Sequence, residues 1–309
     1  MKKEEPQHHF LPTIAEAHRF FGLPKPLHPL ISMNVTSCCQ IQASVPPGAH
    51  VLGFYKISYK RSGGSVKYGQ GNYDFDEGSL LFAAPNQVIG GGTDAAAAVA
   101  EELPGYTLLI HPDFLWNYPL AKKIRQYGFF SYTANEALYL SDAEKATIVA
   151  ILEMIEGELK SRIDDFSQDV VVSQLELLFN YASRFYKRQF ITRKVVNNDL
   201  LQKLEDLLEG YFNSELSLNQ GLPGVQFLAA QLNLSPGYLS DMLRTLIGQS
   251  AQQYIHGKLI EKAKEKLSST SLSVSEVAYQ LGFEHSQSFS KLFKSKTNLS
   301  PMEFRKSFN

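Results

Sequence analysis

Two copies of one short unit stand in the last third of the chain. Each is a short apolar helix, a tight turn and a second helix whose polar residues fall on one outer face. In the first copy Phe227, Leu228, Ala229, Ala230, Gln231 and Leu232 precede the turn, and Tyr238–Leu246 follow it. In the second, Val277, Ala278, Tyr279, Gln280, Leu281 and Gly282 precede the turn, and Ser286–Lys296 follow it. Small alanines let two helices approach closely, and the turn residues set the angle between them. The arrangement predicts two helix-turn-helix units, a geometry in which the second helix enters a major groove. One such unit also occurs as a plain structural bundle, but two copies joined by a single helix are far more restrictive. That connecting helix, expected over about residues 250–267, spans roughly 27 Å, of the order of the ~34 Å repeat of B-DNA.

The ends of these helices are written locally. LLQKLEDLLEGYF (200–212) is an amphipathic opening helix. Ser235-Pro236 places a capping hydroxyl before a proline at the first helical position, and Gly248 suits the end of that helix. Ser273 with Glu276 forms a capping box, Gly282 stops the helix it opens, and Ser300, Pro301 and Glu303 open the last one. Charge follows the same division. Residues 1–199 hold 19 Lys+Arg against 21 Asp+Glu, a balance of −2, whereas residues 235–309 hold 10 against 6, a balance of +4. A basic end on a near-neutral chain points to an anionic partner for that end.

The stretches LAAQLNLSPGYLSDMLRTLIGQSAQQYI (228–255) and KLIEKAKEKLSSTSLSVSEVAYQLGFEHSQSFSKLFKSKTNLSPMEFR (258–305) resemble the AraC/XylS transcription regulators. The spaced elements A-x-x-x-L, V-A-x-x-x-G-F, F-S-x-x-F-K and S-P-x-x-F-R carry the resemblance, in the family's order, over about a third of the chain. It implies recognition helices at 236–246 and 286–296. In the first, the groove-facing positions are Gly237, Ser240, Asp241 and Arg244, with Ser235 offering its helix N-terminus to phosphate. Arg244 is the expected base or phosphate contact. Asp241 departs from the basic or amide residues common there; it either accepts from a cytosine amino group or repels phosphate. In the second, the positions are His285, Ser286, Gln287, Ser290 and Lys291, with Lys294 near the backbone. Gln287 has the chemistry to pair with adenine, and Lys291 to reach guanine or phosphate. Leu281, Phe283, Phe289, Phe293 and Phe304 read as core, at helical spacing opposite the polar face.

The first part of the chain has a different period. From about 30 to 111, runs such as VLGFYKISYK (51–60), SLLFAAP (79–85) and YTLLI (106–110) are parted by turn signals, as in a small barrel or sandwich. After residue 140 the period lengthens. Ile148, Ile151, Leu152, Ile155 and Leu159 mark one amphipathic helix, opened by Ser141 and Glu144 as a capping box, and Val171, Leu175, Leu178, Phe179, Ala182 and Phe185 mark a second. These helices are expected to pack on the strands, on each other or on a second subunit. The stretch 184–199 reads as a linker. The expected fold class is therefore α+β. Residues 1–198 form one domain, which the resemblance makes a cupin-like β-barrel with a dimerising hairpin at about 141–190. Residues 199–309 form an all-α DNA-binding domain with two helix-turn-helix units.

Other chemistry is sparse. Cys38 and Cys39 are adjacent, which disfavours a disulfide between them; they read as small strand residues, with a redox-sensing thiol as the alternative. Asp74, Asp76 and Glu77 lack calcium-loop spacing, and the glycines at 90–92 precede no Gly-Lys-Ser/Thr. The histidines form no HxH-type cluster of the kind a metal-dependent cupin enzyme needs, so neither metal nor cofactor nor catalysis is expected. A catalytic or small-molecule-binding cupin, with helices serving only protein contacts, is the competing class. No signal peptide and no ~20-residue apolar span is visible, so the expectation is a cytoplasmic protein without a membrane partner. The expected partners are double-stranded DNA, a second copy of the chain, RNA polymerase and an unidentified small-molecule effector.

Overall fold

The computed structural model describes residues 9–36, 49–60, 67–68, 71–72, 78–89, 105–161 and 164–307. The cysteine pair, the acidic turn 74–77, the glycines at 90–92 and Ala95–Ala98 lie outside the described residues. The chain divides into two units, Met1–Arg193 and Lys194–Asn309.

In the first unit the strands are β1 (His9–Leu11), β2 (Ile31–Thr36), β3 (His50–Leu52), β4 (Tyr55–Lys60), β5 (Lys67–Tyr68), β6 (Gly71–Asn72), β7 (Ser79–Ala83), β8 (Val88–Ile89), β9 (Gly105–Ile110) and β10 (Leu138–Tyr139). Five of them form an antiparallel sheet in the order β10-β7-β4-β9-β2, and β1-β3-β8 form a second sheet. Among the described residues the five-stranded sheet is open, with β10 and β2 as its edges. The fold is thus α+β, with closure into a barrel not seen in those residues.

Alternation along β4 sorts the sheet into two faces. Tyr55, Ile57 and Tyr59 are buried, while Lys56 and Ser58 are half-buried and Lys60 is exposed. Register carries this across the strands: Ile57 lies opposite Phe82 on one side and Leu108 on the other. Such cross-strand apolar rows stabilise a sheet through side-chain contact. The apolar face is covered by aromatic side chains from 127–132 and by two long helices. Tyr55 meets Phe130 at 5.1 Å between ring centroids, and Phe82 meets Phe129 at 4.4 Å.

Helix α1 (Ile14–Phe20) buries Ile14 and Ala17 against Leu11, Leu52, Phe54 and Leu109. A short helix α2 (Leu120–Lys123) precedes the two long ones, α3 (Asp142–Lys160) and α4 (Ser167–Thr192). The Ser141–Glu144 capping box opens α3 as expected, and Ile148, Ile151, Leu152 and Ile155 are buried. The two helices pack on each other and on the strand layer of their own unit. Arg188 of α4 donates from Nε to Glu144 at 3.0 Å and from Nη2 to the Tyr139 carbonyl at 2.6 Å. Gln189, fully buried, accepts from the Tyr139 N–H at 2.8 Å and donates to the Ala137 carbonyl at 3.0 Å. That satisfies two backbone groups at the edge strand that burial would otherwise leave costly.

The stretch 184–199 is helical, not a linker. Helix α4 runs to Thr192 and α5 (Lys194–Asn213) begins two residues later. Its charges misled because Phe185, Tyr186 and Phe190 turn inward between Arg184, Lys187 and Arg188.

Candidate nucleic-acid interface

The second unit continues with α6 (Leu216–Gln220), α7 (Val225–Gln231), α8 (Pro236–Ile247), α9 (Ala251–Ser269), α10 (Val274–Gln280), α11 (Ser286–Thr297) and α12 (Pro301–Lys306). Helices α7 and α8 are the first repeat, α10 and α11 the second, and α9 joins them.

Local chemistry sets each boundary. Ser235 is only 5% exposed, and its hydroxyl accepts from the Tyr238 N–H at 3.1 Å, with Pro236 at the first turn. Helix α8 ends at Gly248 with φ +71°. Capping boxes open α9 (Ser250, Gln253), α10 (Ser273, Glu276) and α12 (Ser300, Glu303). The Glu276 carboxyl lies below its ordinary range because the Ser273 N–H and hydroxyl hydrogen-bond to it, and Ser300 does the same for Glu303.

The turn of the second repeat has a tighter constraint. Gly282 has φ +91°, and a Cβ there would stand 2.6 Å from the Gly221 carbonyl carbon and oxygen. Helix α6 brings that backbone in. The Ser217 hydroxyl donates to the Gln280 carbonyl at 2.8 Å, and the Tyr211 hydroxyl donates to Gly221 O at 2.9 Å. Only glycine meets both the left-handed backbone and the close approach.

Behind both repeats runs α9. Its inner face buries Ala251, Ile255, Leu259, Ile260, Ala263 and Leu267. From α5, Glu205 takes the Lys258 ammonium of α9 at 2.9 Å and its Tyr254 hydroxyl at 3.0 Å. Burial first, then this hydrogen bond, pushes the Tyr254 pKa up to about 12. Arg305 of α12 donates to the Leu267 carbonyl at 3.1 Å, tying the last helix to the end of α9. With 19 residues, α9 is about 28 Å long at ~1.5 Å per residue.

The sequence-derived positions gather on two outer faces. On α8, Gly237, Ser240, Asp241 and Arg244 fall at i, i+3, i+4 and i+7, one stripe of a helix. Tyr238, Leu239, Met242 and Leu243 face inward. Arg244 is exposed, and its guanidinium donates to the Asp241 carboxylate at 3.1 Å, so the two charges cancel within the helix. On α11, Gln287, Lys291 and Lys294 are exposed and Ser290 is half-buried along a matching stripe. The Ser290 hydroxyl donates to the Ser286 carbonyl at 2.9 Å. The N-cap of α11 is His285, whose side chain makes no cap hydrogen bond, and Ser286 follows as the first helical residue. Phe283, Phe289 and Phe293 are buried, chained with Phe304 at centroid separations of 5.4–5.7 Å, as expected for core.

Exposed cations also lie outside the expected set, Lys296 among them. Lys296 sits in the last turn of α11, and after burial it is the second cause that lowers the pKa of His256 on α9. Its signal in the sequence was the basic run of the final helices.

A family described as "Helix-turn-helix domain" matches residues 228–307, the span of both repeats and α9. Residues 228–307 are an AraC-type helix-turn-helix domain. The chain is 30% identical over 148 residues to the HTH-type transcriptional activator RhaS of Salmonella paratyphi B (strain ATCC BAA-1250 / SPB7), covering 48% of this chain and 51% of that protein. It is 27% identical over 138 residues to an uncharacterized HTH-type transcriptional regulator of Staphylococcus aureus (strain MSSA476), covering 45% of this chain and 17% of that one. The chain therefore spans about half of one relative and less than a fifth of the other. Among solved structures, the C-terminal domain of the response regulator yesN from Fusobacterium nucleatum is 30% identical, covering 35% of this chain and 98% of that one, with a TM-score of 0.31.

No helix among the described residues is long and apolar enough to cross a membrane. Nor do those residues gather three or more His, Cys, Asp or Glu side chains into a metal-binding group.

Proposed function

We infer that the chain is a sequence-specific, DNA-binding transcription regulator of the AraC family. The observation that carries this reading is the pair of outward stripes, Gly237–Arg244 and Gln287–Lys294, held at either end of one 19-residue helix. A duplex presents successive major-groove segments on one face at about that separation. Affinity then comes from salt-sensitive phosphate contacts by Lys291 and Lys294, and sequence is read by Gln287, Arg244 and their neighbours. Ser235, Ser240, Asp241, His285, Ser286 and Ser290 complete the face.

Residues 1–198 supply sensing and dimerisation, and 199–309 supply DNA binding. The strands of the first unit form a cupin-like fold, with α3 and α4 presenting the dimer contact and RNA polymerase as a partner at the promoter. A small molecule bound by the first unit shifts DNA occupancy only through a difference in its affinity for two arrangements of the protein.

The test is selection of duplexes from a random pool by the full chain at ~150 mM salt. Enrichment of a site with two motifs supports the reading. Absence of any enriched sequence, with uniform weak retention of all duplexes, overturns it.

A further inference from the structure

The two outer stripes differ in charge. Helix α11, SQSFSKLFKSKT, contains three lysines and no acid, whereas α8 holds one acid and one base, Asp241 and Arg244. Arg244 Nη1 donates to Asp241 Oδ1 at 3.1 Å. The Arg244 side chain is 64% accessible and that of Asp241 30%, so the carboxylate sits deeper than the guanidinium it holds. Burial of Tyr238, Leu239, Met242 and Leu243 fixes the helix that carries the pair, and the Thr245 hydroxyl donates to the Asp241 carbonyl at 2.8 Å. One turn before Asp241 stands Gly237, with no side chain to compete for the same space.

An exposed pair at i, i+3 adds little to stability, so stability does not account for an acid on this face. Attraction for DNA does not account for it either, since a carboxylate beside phosphates is repelled. Orientation does. A guanidinium presents five N–H donors in a planar fork. With Nη1 taken by Asp241, the edge formed by Nε and Nη2 still offers two parallel donors, which match guanine O6 and N7 in the major groove. A free arginine side chain has many rotamers to lose on binding, and an ion pair that selects one of them lowers that ordering cost.

We propose that Asp241 is a positioning residue for Arg244, and that the pair reads the guanine of one G·C base pair while α11 supplies the greater part of the phosphate attraction. The acid also weakens attachment to DNA of the wrong sequence. Until the guanine is met, the Arg244 charge is held by Asp241 rather than by a phosphate. This role rests on the regulator reading above, in which α8 lies against a duplex.

The experiment titrates the full chain at ~150 mM salt against a duplex selected from a random pool, against single base-pair replacements of it, and against random duplex. Wild type discriminates one G·C pair of the motif about 10-fold or more through Arg244, and Arg244→Gln loses that discrimination. Replacing its guanine by 7-deazaguanine, which lacks N7, weakens wild type several-fold and leaves Arg244→Gln unaffected. Asp241→Asn keeps the thermal midpoint within about 1 °C of wild type but lowers discrimination at the same pair to about 3-fold or less. The same variant gains affinity for random duplex, because a negative charge is gone and Arg244 is released to phosphate. Undiminished discrimination in Asp241→Asn, an equal loss on selected and random duplex, or an Arg244-dependent pair other than G·C overturns the proposal and leaves the regulator reading standing. Selection of no sequence by wild type overturns both.

Discussion

Replacing Gly282 by alanine tests the packing logic of the second repeat. Two costs add at this position. The left-handed backbone at φ +91° disfavours any Cβ, by about 1–2 kcal/mol. The new methyl also stands 2.6 Å from the Gly221 backbone and 2.9 Å from the Ser217 carbonyl oxygen, neither of which is the end of a flexible side chain. Overpacking of this kind costs about 1–3 kcal/mol, for a total of roughly 2–5 kcal/mol. Gly248, which ends the second helix of the first repeat, separates the two terms. Its φ is +71° with no atom within 4 Å of a Cβ, so Gly248→Ala should lose only the backbone term, about 1–2 kcal/mol. The assay is urea unfolding of the full chain followed by circular dichroism, with amide exchange over 251–307 to assign the transition. Equal losses for the two substitutions refute the reasoning, because they mean that α6 does not press on the Gly282 turn.

Three further outcomes follow from the same geometry. Lys291→Gln and Lys294→Gln each reduce the slope of log Kobs against log salt by about 1 in a titration of DNA binding, the signature of one lost phosphate contact. Gln189→Leu leaves the Tyr139 N–H and Ala137 carbonyl unpaired in a dry setting and lowers stability by about 2–5 kcal/mol in urea unfolding. Acid weakens the second unit: hydrogen bonds hold Glu276 and Glu303 below their ordinary value of 4.5, so their stabilisation is present above that value and lost as pH falls through the depressed pKa values. The thermal midpoint of the Glu276→Gln, Glu303→Gln double variant should show a shallower fall below pH 4.5 than wild type.

The second unit is legible in sequence because its punctuation is local. Ser235-Pro236, Ser273 with Glu276 and Ser300 with Glu303 act within three residues of themselves, so α8, α10 and α12 start where expected. The stripe on α11 follows from the same 3.6-residue period that buries Phe289 and Phe293. What periodicity missed depends on distant partners. Gln189 reads as one more polar residue, since its partners Tyr139 and Ala137 lie about fifty positions away. Helix α6 is short and poorly marked, and its role appears only when Ser217 meets Gln280. The Asp241–Arg244 pair was visible as an i, i+3 spacing, but its effect, two opposite charges cancelling on the outer face of α8, needed the 3.1 Å contact. Lys56 lay in a run that alternates cleanly. Only the register of β2, β9 and β4 shows which described residues share its row, Leu109 and Ser32.

In the proposed complex α9 holds two reading helices one helical turn apart on one side of a duplex. The direct measurement compares the affinity of the full chain for a selected two-motif duplex with its affinity after insertion of five base pairs between the motifs. Half a turn of B-DNA, about 5 base pairs, moves one motif to the opposite side, where a rigid 19-residue connecting helix cannot follow. The account predicts a loss of about 10-fold or more, the worth of one or two base contacts. Unchanged affinity would contradict it, since the two repeats would then not read the duplex together.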